Sequence, residues 1–293
     1  MELRVLQYFL AVAREQSISA AAASLHISQP ALSTQLKALE KELGKQLLIR
    51  GTKGSRRVLL TDEGMILRKR AEEILSLVRR AEAEVTCSDE AIVGEVSIGS
   101  GETDLVRLFA NAAKKLQKRH PDIHYHISSG NAEYVLEYLD KGLIDFGLLF
   151  GDVDQQKYDI LPLPVRDTWG VLMRRDAPLA EKEAIEPQDL WDKPLIISHQ
   201  RGDDSFLSRW LQRELAKLNI VATYNLVFNA SLLVEEGLGY ALCFDKLINT
   251  QGSQLCFRPF SPPLHASACI VWKKYQVFSK AAGTFLQCLR GLL

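Results

Sequence analysis

The sequence lacks the clustered cysteines and histidines that mark a metal site or a disulfide framework. Its five cysteines are widely separated, form no C-x-x-C pair and have no histidine cluster beside them. Their spacing predicts small core residues, at Cys87, Cys243, Cys256, Cys269 and Cys288. We therefore expect neither a metal ion nor another cofactor in this protein.

Long hydrophobic runs and a secretion signal are also missing. No run of about eighteen apolar residues occurs, and the N-terminal stretch MELRVLQYFLAVAREQS mixes charged with apolar residues. These absences predict a cytoplasmic protein that does not enter a membrane. The length of 293 residues suggests two or three domains.

Recognisable catalytic groupings are missing too. The sequence has no G-x-S-x-G, P-loop, H-E-x-x-H or G-x-G-x-x-G motif, and its six histidines are scattered. An enzyme is therefore the disfavoured class, and we predict a binding protein without catalytic residues.

The net charge is zero, but the charges are unevenly distributed. Residues 1–85 contain 14 Lys and Arg against 10 Asp and Glu, which leaves 22 against 26 for the rest, so the two parts carry +4 and −4. Between Glu42 and Asp62 there is no acidic residue, and the basic residues there are Lys45, Arg50, Lys53, Arg56 and Arg57. Such a density suits phosphate groups, although a solvated basic loop is the alternative.

The stretch SAAAASLHISQPALSTQLKALE at residues 19–40 predicts two short helices joined by a tight turn. Pro30 would break a single long helix but fits the first turn of a second one, for which Ser28 is the predicted N-cap. A helix-turn-helix places its second helix in the DNA major groove. The polar positions facing away from the leucine stripe of that helix are Gln29, Ser33, Thr34 and Lys37. A helical hairpin in an ordinary core is the alternative.

Residues 47–64, LLIRGTKGSRRVLLTDEG, predict a wing, because two short β-prone runs flank a Gly, Lys and Arg loop. A wing beside a helix-turn-helix carries basic side chains along the DNA backbone. We predict DNA contacts at Ser28, Gln29, Pro30, Ala31, Ser33, Thr34, Lys37, Arg50, Lys53, Arg56 and Arg57.

From Asp62 to about Val85 one long helix is predicted, with apolar residues in a heptad pattern. This pattern predicts a dimer interface at Leu67, Ala71, Ile74 and Val78. An amphipathic helix lying on a single domain is the alternative. After a polar hinge at 87–91, strands alternate with helices, which predicts a parallel sheet in two α/β lobes, residues 91–165 with 267–293 and residues 166–266. A cleft between the lobes would hold a small ligand.

Several motifs together resemble the LysR-type transcriptional regulators. They are SIS at 17–19, AA at 21–22, SQPALS at 28–33, LE at 39–40, LG at 43–44 and LT at 60–61, with Leu25, Leu47, Arg50 and Gly64. More loosely, GLID at 142–145 and EGLG at 236–239 fall where that family places strand ends.

The resemblance implies an α/β protein with an N-terminal winged helix-turn-helix over 1–61, a linker helix and hinge over 62–90, and a two-lobed effector domain over 91–293. That domain would resemble periplasmic type 2 binding proteins. The family further implies a regulator that binds double-stranded DNA, forms a homodimer or homotetramer, responds to a small metabolite and has RNA polymerase as a partner.

Loops at 100–103, 128–133 and 198–202 follow predicted strands and precede predicted helices, whose N-termini favour an anionic ligand. The predicted effector-binding residues are Ser100, Glu102, Thr103, Asn131, Gln200 and Asn229. Glu102 and Glu133 could simply cap helices or could bind an ammonium group, and Asn229 could be only the N-cap of a helix beginning at Ser231. A sensor without DNA activity would leave the first 61 residues unused.

Overall fold

The computed structural model describes residues 1–51, 57–86, 92–199 and 204–293, and the chain divides into two compact units, Met1–Thr86 and Cys87–Leu293. Within the described ranges every helix is too short or too polar to span a lipid bilayer.

The first unit is a helical domain with a β-hairpin. Its elements are α1 (Leu3–Glu15), α2 (Ile18–Ser24), α3 (Gln29–Leu43), β1 (Leu48–Arg50), β2 (Val58–Leu60) and α4 (Asp62–Thr86). Helices α1 to α3 and the hairpin share an apolar core, in which Phe9 and Leu32 are fully buried. The predicted winged helix-turn-helix and the long helix after it are therefore confirmed.

Pro30 lies in the first turn of α3, so the proline starts a helix instead of breaking one. The Ser28 hydroxyl accepts a hydrogen bond from the Ala31 N–H at 3.4 Å and caps this helix, as predicted. His26 adopts a φ of +54° and turns the chain between α2 and α3.

The start of α4 lies directly against the hairpin. The Thr61 hydroxyl accepts a hydrogen bond from the Gly64 N–H at 3.0 Å, which caps α4. A Cβ atom on Gly64 would lie 2.2 Å from the Leu47 carbonyl oxygen, so only glycine fits at this position.

The second unit contains two α/β lobes. The first lobe is built from β3 (Gly94–Ser100), α5 (Val106–Gln117), β4 (Ile123–Ser129), α6 (Ala132–Asp140) and β5 (Phe146–Phe150). It is completed by β11 (His265–Lys273) and α9 (Lys280–Arg290), which return from the end of the chain. Strands β4, β3 and β5 are parallel, as predicted, but β11 is antiparallel to β5, so the sheet is mixed.

The second lobe has β7 (Leu195–Ser198), α7 (Asp204–Leu211), β8 (Ile220–Tyr224), α8 (Val227–Glu235), β9 (Tyr240–Phe244) and β10 (Leu255–Pro259). Strand β6 (Tyr158–Arg174) is shared by both lobes: its first part pairs with β11 and its last part with β9 and β10. The order across the sheet is β4-β3-β5-β11-β6-β9-β7-β8.

The ladder between β6 and β11 is interrupted where the chain passes from one lobe to the other. Cys269 pairs with Pro162, whereas Ser267 pairs with Arg166, so β6 bulges between these two pairs. The bulged segment contains Pro164, and proline has no N–H to donate to a ladder.

For the second lobe the sequence also predicts a strand beginning near Asp167, a helix over 205–218 and a strand over 222–228, and all three have different limits in the structure. The strand expected to begin near Asp167 begins at Tyr158. The helix expected over 205–218 ends at Leu211, because Gln212 adopts a φ of +54° and a short 3-10 turn, Leu215–Lys217, follows. The strand expected over 222–228 ends at Tyr224, and α8 begins at Val227 instead of Ser231.

The cysteines of the described ranges are mostly small core residues, as predicted. Cys243, Cys256 and Cys269 are buried, Cys288 is partly buried and Cys87 lies outside the described residues. Burial raises the pKa of the Cys243 thiol to about 12, so this group stays protonated at neutral pH.

Candidate nucleic-acid interface and ligand cleft

The buried leucines of α3 determine which side chains the helix presents outward. Leu32, Leu36 and Leu39 are buried in the core of the first unit. The predicted contact residues on the outer side are exposed, except for the partly buried Ser33; they are Ser28, Gln29, Pro30, Ala31, Thr34 and Lys37. The predicted set therefore lies at the start and on the outer side of one helix.

Thr34 is already engaged in a hydrogen bond within α3. Its hydroxyl donates to the Pro30 carbonyl oxygen at 2.9 Å. Because its hydrogen is already donated, the Thr34 hydroxyl can only accept a hydrogen bond from DNA. Gln29 and Lys37 are therefore the better candidates for donating hydrogen bonds to bases or phosphates.

The β-hairpin is held beside α3 by backbone and side-chain contacts. Strands β1 and β2 are antiparallel, with Arg50 opposite Val58. The Glu40 carboxylate of α3 accepts hydrogen bonds from the N–H groups of Leu47 and Leu48 at 2.9 and 3.1 Å. This double contact fixes the wing relative to the outer side of α3.

Arg57 lies at the base of the wing, exposed, and its Nε donates to the Gln16 side-chain oxygen at 3.0 Å. Lys53 and Arg56 lie outside the described residues, and so does the side chain of Arg50. Arg57 is therefore the one predicted wing contact whose side chain can be placed.

Some of the apolar heptad residues of α4 pack against the first unit of the same chain. Leu67 packs against the core of the first unit, and Ala71 is 0% exposed. Ala71 thus has no surface to offer a second subunit, which corrects its assignment to a dimer interface. Ile74 and Val78 are partly exposed and remain predictions for that interface.

In the second unit, the loop after β3 supplies the first predicted ligand residues. The Ser100 hydroxyl, buried, donates to the Gly101 carbonyl oxygen at 2.7 Å. The Thr103 hydroxyl donates to an Asp167 carboxylate oxygen at 2.5 Å and accepts from the Leu105 N–H at 3.0 Å. Both hydroxyls are therefore already bonded within the protein.

Glu102, between these two residues, reaches across to the other lobe. Its carboxylate accepts a hydrogen bond from the Val227 N–H, the first residue of α8, at 2.5 Å. Burial raises the pKa of the Glu102 carboxyl, although the hydrogen bond from Val227 opposes the rise. Glu102 thus caps a helix, which was one of the two predicted roles, but the helix belongs to the opposite lobe.

The Glu102 carboxylate lies near the ends of two strands of the second lobe. Burial raises the pKa of Tyr224 well above its usual value, and electrostatic interactions with the Cys243 and Glu102 side chains add to this rise. Tyr224 ends β8, and Cys243 is one residue from the end of β9. Ligands of open α/β sheets bind at such carboxyl ends.

Asp167, which the sequence did not single out, lies on β6 and is 6% exposed. Burial raises the pKa of its carboxyl and the charges of Asp104 and Asp245 raise it further, while the Thr103 hydrogen bond and Lys246 lower it. Its neighbours Arg166 and Thr168 are also polar, so the sequence of β6 carried no local signal that set Asp167 apart.

Three aromatic rings, also unpredicted as site residues, join the lobes at the strand ends. The ring centroids of Phe150 and Phe244 are 5.0 Å apart, and those of Trp169 and Phe244 are 4.5 Å apart with an angle of 60° between the ring planes. These rings contribute an apolar surface in the same region as the carboxylates.

Two of the remaining predicted ligand residues follow backbone groups that contact the 100–103 loop: Asn131 follows Gly130, whose N–H donates to the Ser100 carbonyl oxygen at 3.0 Å, and Asn229 is two residues after Val227. The Asn131 side chain caps α6 by accepting a hydrogen bond from the Tyr134 N–H at 2.9 Å, and Glu133 is exposed in the first turn of that helix. Asn229 is exposed in the first turn of α8 and is not its N-cap. Gln200 lies outside the described residues. Across the part of the chain that the structure describes, no group of His, Cys, Asp and Glu side chains is arranged to hold a metal ion.

Comparisons with known proteins match both units of the chain. The family model described as the LysR substrate binding domain matches residues 89–293, and the model described as the bacterial regulatory helix-turn-helix protein, lysR family, matches residues 3–65. The Hca operon transcriptional activator HcaR of Escherichia coli (strain K12) is 30% identical over 281 residues, covering 94% of this chain and 92% of HcaR.

An uncharacterized HTH-type transcriptional regulator of Bacillus subtilis (strain 168), YvbU, is 24% identical over 294 residues, covering 100% of this chain and 99% of YvbU. The fold is also that of full-length CbnR in complex with its target DNA. The TM-score is 0.78 at 21% sequence identity, with 100% of both chains covered.

Proposed function

Because this chain belongs to the LysR family of bacterial transcriptional regulators, we propose that a small anionic metabolite, bound between its two effector lobes, controls how it binds operator DNA. The domain limits in this proposal are residues 1–61 for DNA binding, 62–90 for the linker and 91–293 for the effector. We further propose that it works in the cytoplasm, where bacterial chromosomal genes lie, with RNA polymerase as a further partner.

For DNA, we propose that Gln29 and Ser33 read base edges while Lys37, Arg50, Lys53, Arg56 and Arg57 hold phosphates. The outward position of the polar side of α3 supports the first part, since its buried leucines leave it only one orientation. The acid-free stretch between Glu42 and Asp62 supports the second.

The DNA assignment is tested by mobility-shift titration of the full chain against operator and random fragments at several salt concentrations. Saturable, sequence-dependent shifts that weaken steeply with salt are expected. Equal affinity for operator and random DNA at every salt concentration would contradict it.

For the effector, the observation that carries the proposal is the hydrogen bond between Glu102 and Val227. The Glu102 carboxylate already binds the start of α8, so this helix end accepts the chemical group that an anionic effector would carry. The neighbouring rings of Phe150, Trp169 and Phe244 favour an effector whose body is apolar.

A second candidate is an effector that carries an amine. Glu102, Asp104, Asp167 and Asp245 all bring carboxyl groups to this region, and an ammonium group would pair with one of them.

One screen separates the two candidates. Carboxylic acids, their uncharged amides and the corresponding amines of equal length are compared by the rise in melting temperature of the full chain. A rise with the acids alone supports the anionic effector, and a rise with the amines alone supports the second candidate. Any hit must then alter the mobility shift with operator DNA, and a hit that does not is no effector.

A further inference from the structure

Helix α8 depends on the opposite lobe for its N-terminal cap. The residue before the helix is Leu226, whose side chain cannot accept a hydrogen bond, so the Val227 N–H must find its acceptor elsewhere. It finds the Glu102 carboxylate at 2.5 Å, although 125 positions separate the two residues. The contact therefore depends on how the two lobes lie in the folded domain.

The loop that carries Glu102 is fixed on both sides. Ser100 is buried at the end of β3, and Thr103 is buried and bonded to Asp167, which lies on β6 in the segment assigned to the second lobe. Since both sides of Glu102 are fixed, its carboxylate stays within reach of α8 at a high effective concentration.

The same contact is weakened by its surroundings. Glu102 is half-buried, and burial disfavours its charged form more than the Val227 hydrogen bond favours it. The Glu102 carboxylate has only the Val227 hydrogen bond at this place. An anionic ligand that also makes apolar contacts with the rings of Phe150 and Phe244 would therefore bind the start of α8 more tightly than Glu102 does.

We propose that Glu102 is an internal competitor of the effector: in the effector-free protein its carboxylate occupies the start of α8 and links the lobes, and an incoming carboxylate displaces it. Binding of the effector then requires that the contact between Glu102 and Val227 is broken, which lowers the apparent affinity for the effector. Because that contact joins the two lobes, effector binding is coupled to the arrangement of the lobes. The role as competitor rests on the proposed anionic effector, while the link between the lobes does not.

The link is tested without any metabolite or DNA, by hydrogen exchange of the Val227 amide in the full chain. Exchange should be about tenfold faster or more in Glu102→Ala than in the parent, because the amide loses a charged acceptor. Glu102→Gln should lie between the two, since its amide oxygen accepts without charge. The control Glu95→Ala removes an exposed carboxylate at the other end of β3 and should match the parent.

Competition is tested with sodium acetate, compared with sodium chloride at equal ionic strength. Acetate should slow Val227 exchange in Glu102→Ala by occupying the vacated place. The parent, which carries its own carboxylate there, should need about tenfold more acetate for any change. Glu102→Gln should respond at an intermediate concentration, which keeps the test available if the alanine variant folds poorly.

Equal Val227 exchange in the parent and in both Glu102 variants would overturn the link. An equal response of parent and variants to acetate would overturn the competition. Either result leaves the effector screen untouched. Conversely, if the exchange results are as expected but no carboxylic acid in the screen alters DNA binding, the anionic effector is wrong while the link between the lobes remains.

Discussion

Two polar side chains on the outer side of α3 are exposed, whereas the polar groups around Glu102 in the effector unit are bonded to one another. Gln29 and Lys37 lie exposed on α3 with their ends in solvent. In the cleft, Thr103 is bonded to Asp167 and Glu102 to Val227. DNA can therefore form new hydrogen bonds with these exposed side chains. A ligand that binds beside Glu102 must instead replace hydrogen bonds that already exist within the protein.

This contrast predicts that substitutions in the cleft cost stability, while those on the DNA surface cost only binding. The largest effect is expected for Thr103→Val, which keeps the shape of the side chain but removes the hydroxyl bonded to buried Asp167. The free energy of unfolding should fall by about 2 to 3 kcal/mol, measured by urea titration at neutral pH. Thr103→Ser keeps the hydroxyl and should lose much less. A loss in Thr103→Ser with none in Thr103→Val would mean that the methyl group and not the hydrogen bond matters.

On the DNA surface, Gln29→Ala should reduce the preference for operator over random DNA by about 1 to 2 kcal/mol, because one base-reading side chain is removed. Its urea midpoint should equal that of the parent. Gln35→Ala changes the same residue type at another exposed position of α3 and should bind as the parent does. If Gln29→Ala weakens operator and random DNA alike, Gln29 does not read bases.

The buried carboxyl of Asp167 makes the stability of the effector unit depend on pH. Because its pKa in the folded protein is raised above the usual 3.8, the folded state holds this proton more tightly, and the corresponding stability is lost as pH rises through the folded pKa. Relative to the parent, Asp167→Asn should therefore become more stable as pH increases from about 4 to about 7.

Asp176 provides a control of opposite sign for this experiment. The side-chain hydrogen bond from Arg174 lowers the pKa of Asp176, so its contribution is present at neutral pH and is lost as pH falls. Asp176→Asn should accordingly become less stable relative to the parent as pH rises. The same trend in both variants would show that the buried position of Asp167 has no specific effect.

The smallest effect is expected for Lys37→Ala on the outer side of α3. Operator and random DNA should lose affinity equally, and the slope of log affinity against log salt should fall by about 0.9, the value for one phosphate contact. Lys41→Ala, in the last turn of the same helix, should leave the slope unchanged. A change in operator preference with Lys37→Ala would move this residue into the base-reading set.

The same contrast explains what the sequence could predict. The cap at Ser28, the proline in the first turn and the leucine stripe all lie within a few residues of α3, so a local pattern was sufficient. Helix α8 was expected to begin at Ser231 because Asn229 resembles a local cap, whereas the true start at Val227 is capped from 125 positions away. Glu102 was singled out, but its partner could not be, since that pairing exists only after both lobes have folded.

Asp167 and the aromatic rings show the same limit. The hydrogen bond between Thr103 and Asp167 spans 64 positions, and Phe150 meets Phe244 only where two lobes converge. In the wing, the Glu40 contacts with Leu47 and Leu48 span only 7 and 8 positions, yet even these join two separate elements. Side chains could be proposed from their type, but their partners required the fold.

Strand β6 runs without a break through both lobes, and its ladder with β11 is interrupted at one place. A pair of strands resists stretching and sliding through its ladder of hydrogen bonds, but it yields to torsion where that ladder is interrupted. In β6 the interruption lies between the pairs made by Pro162 and Arg166, next to Asp167. We therefore expect a twist between the two lobes to be taken up at these few residues.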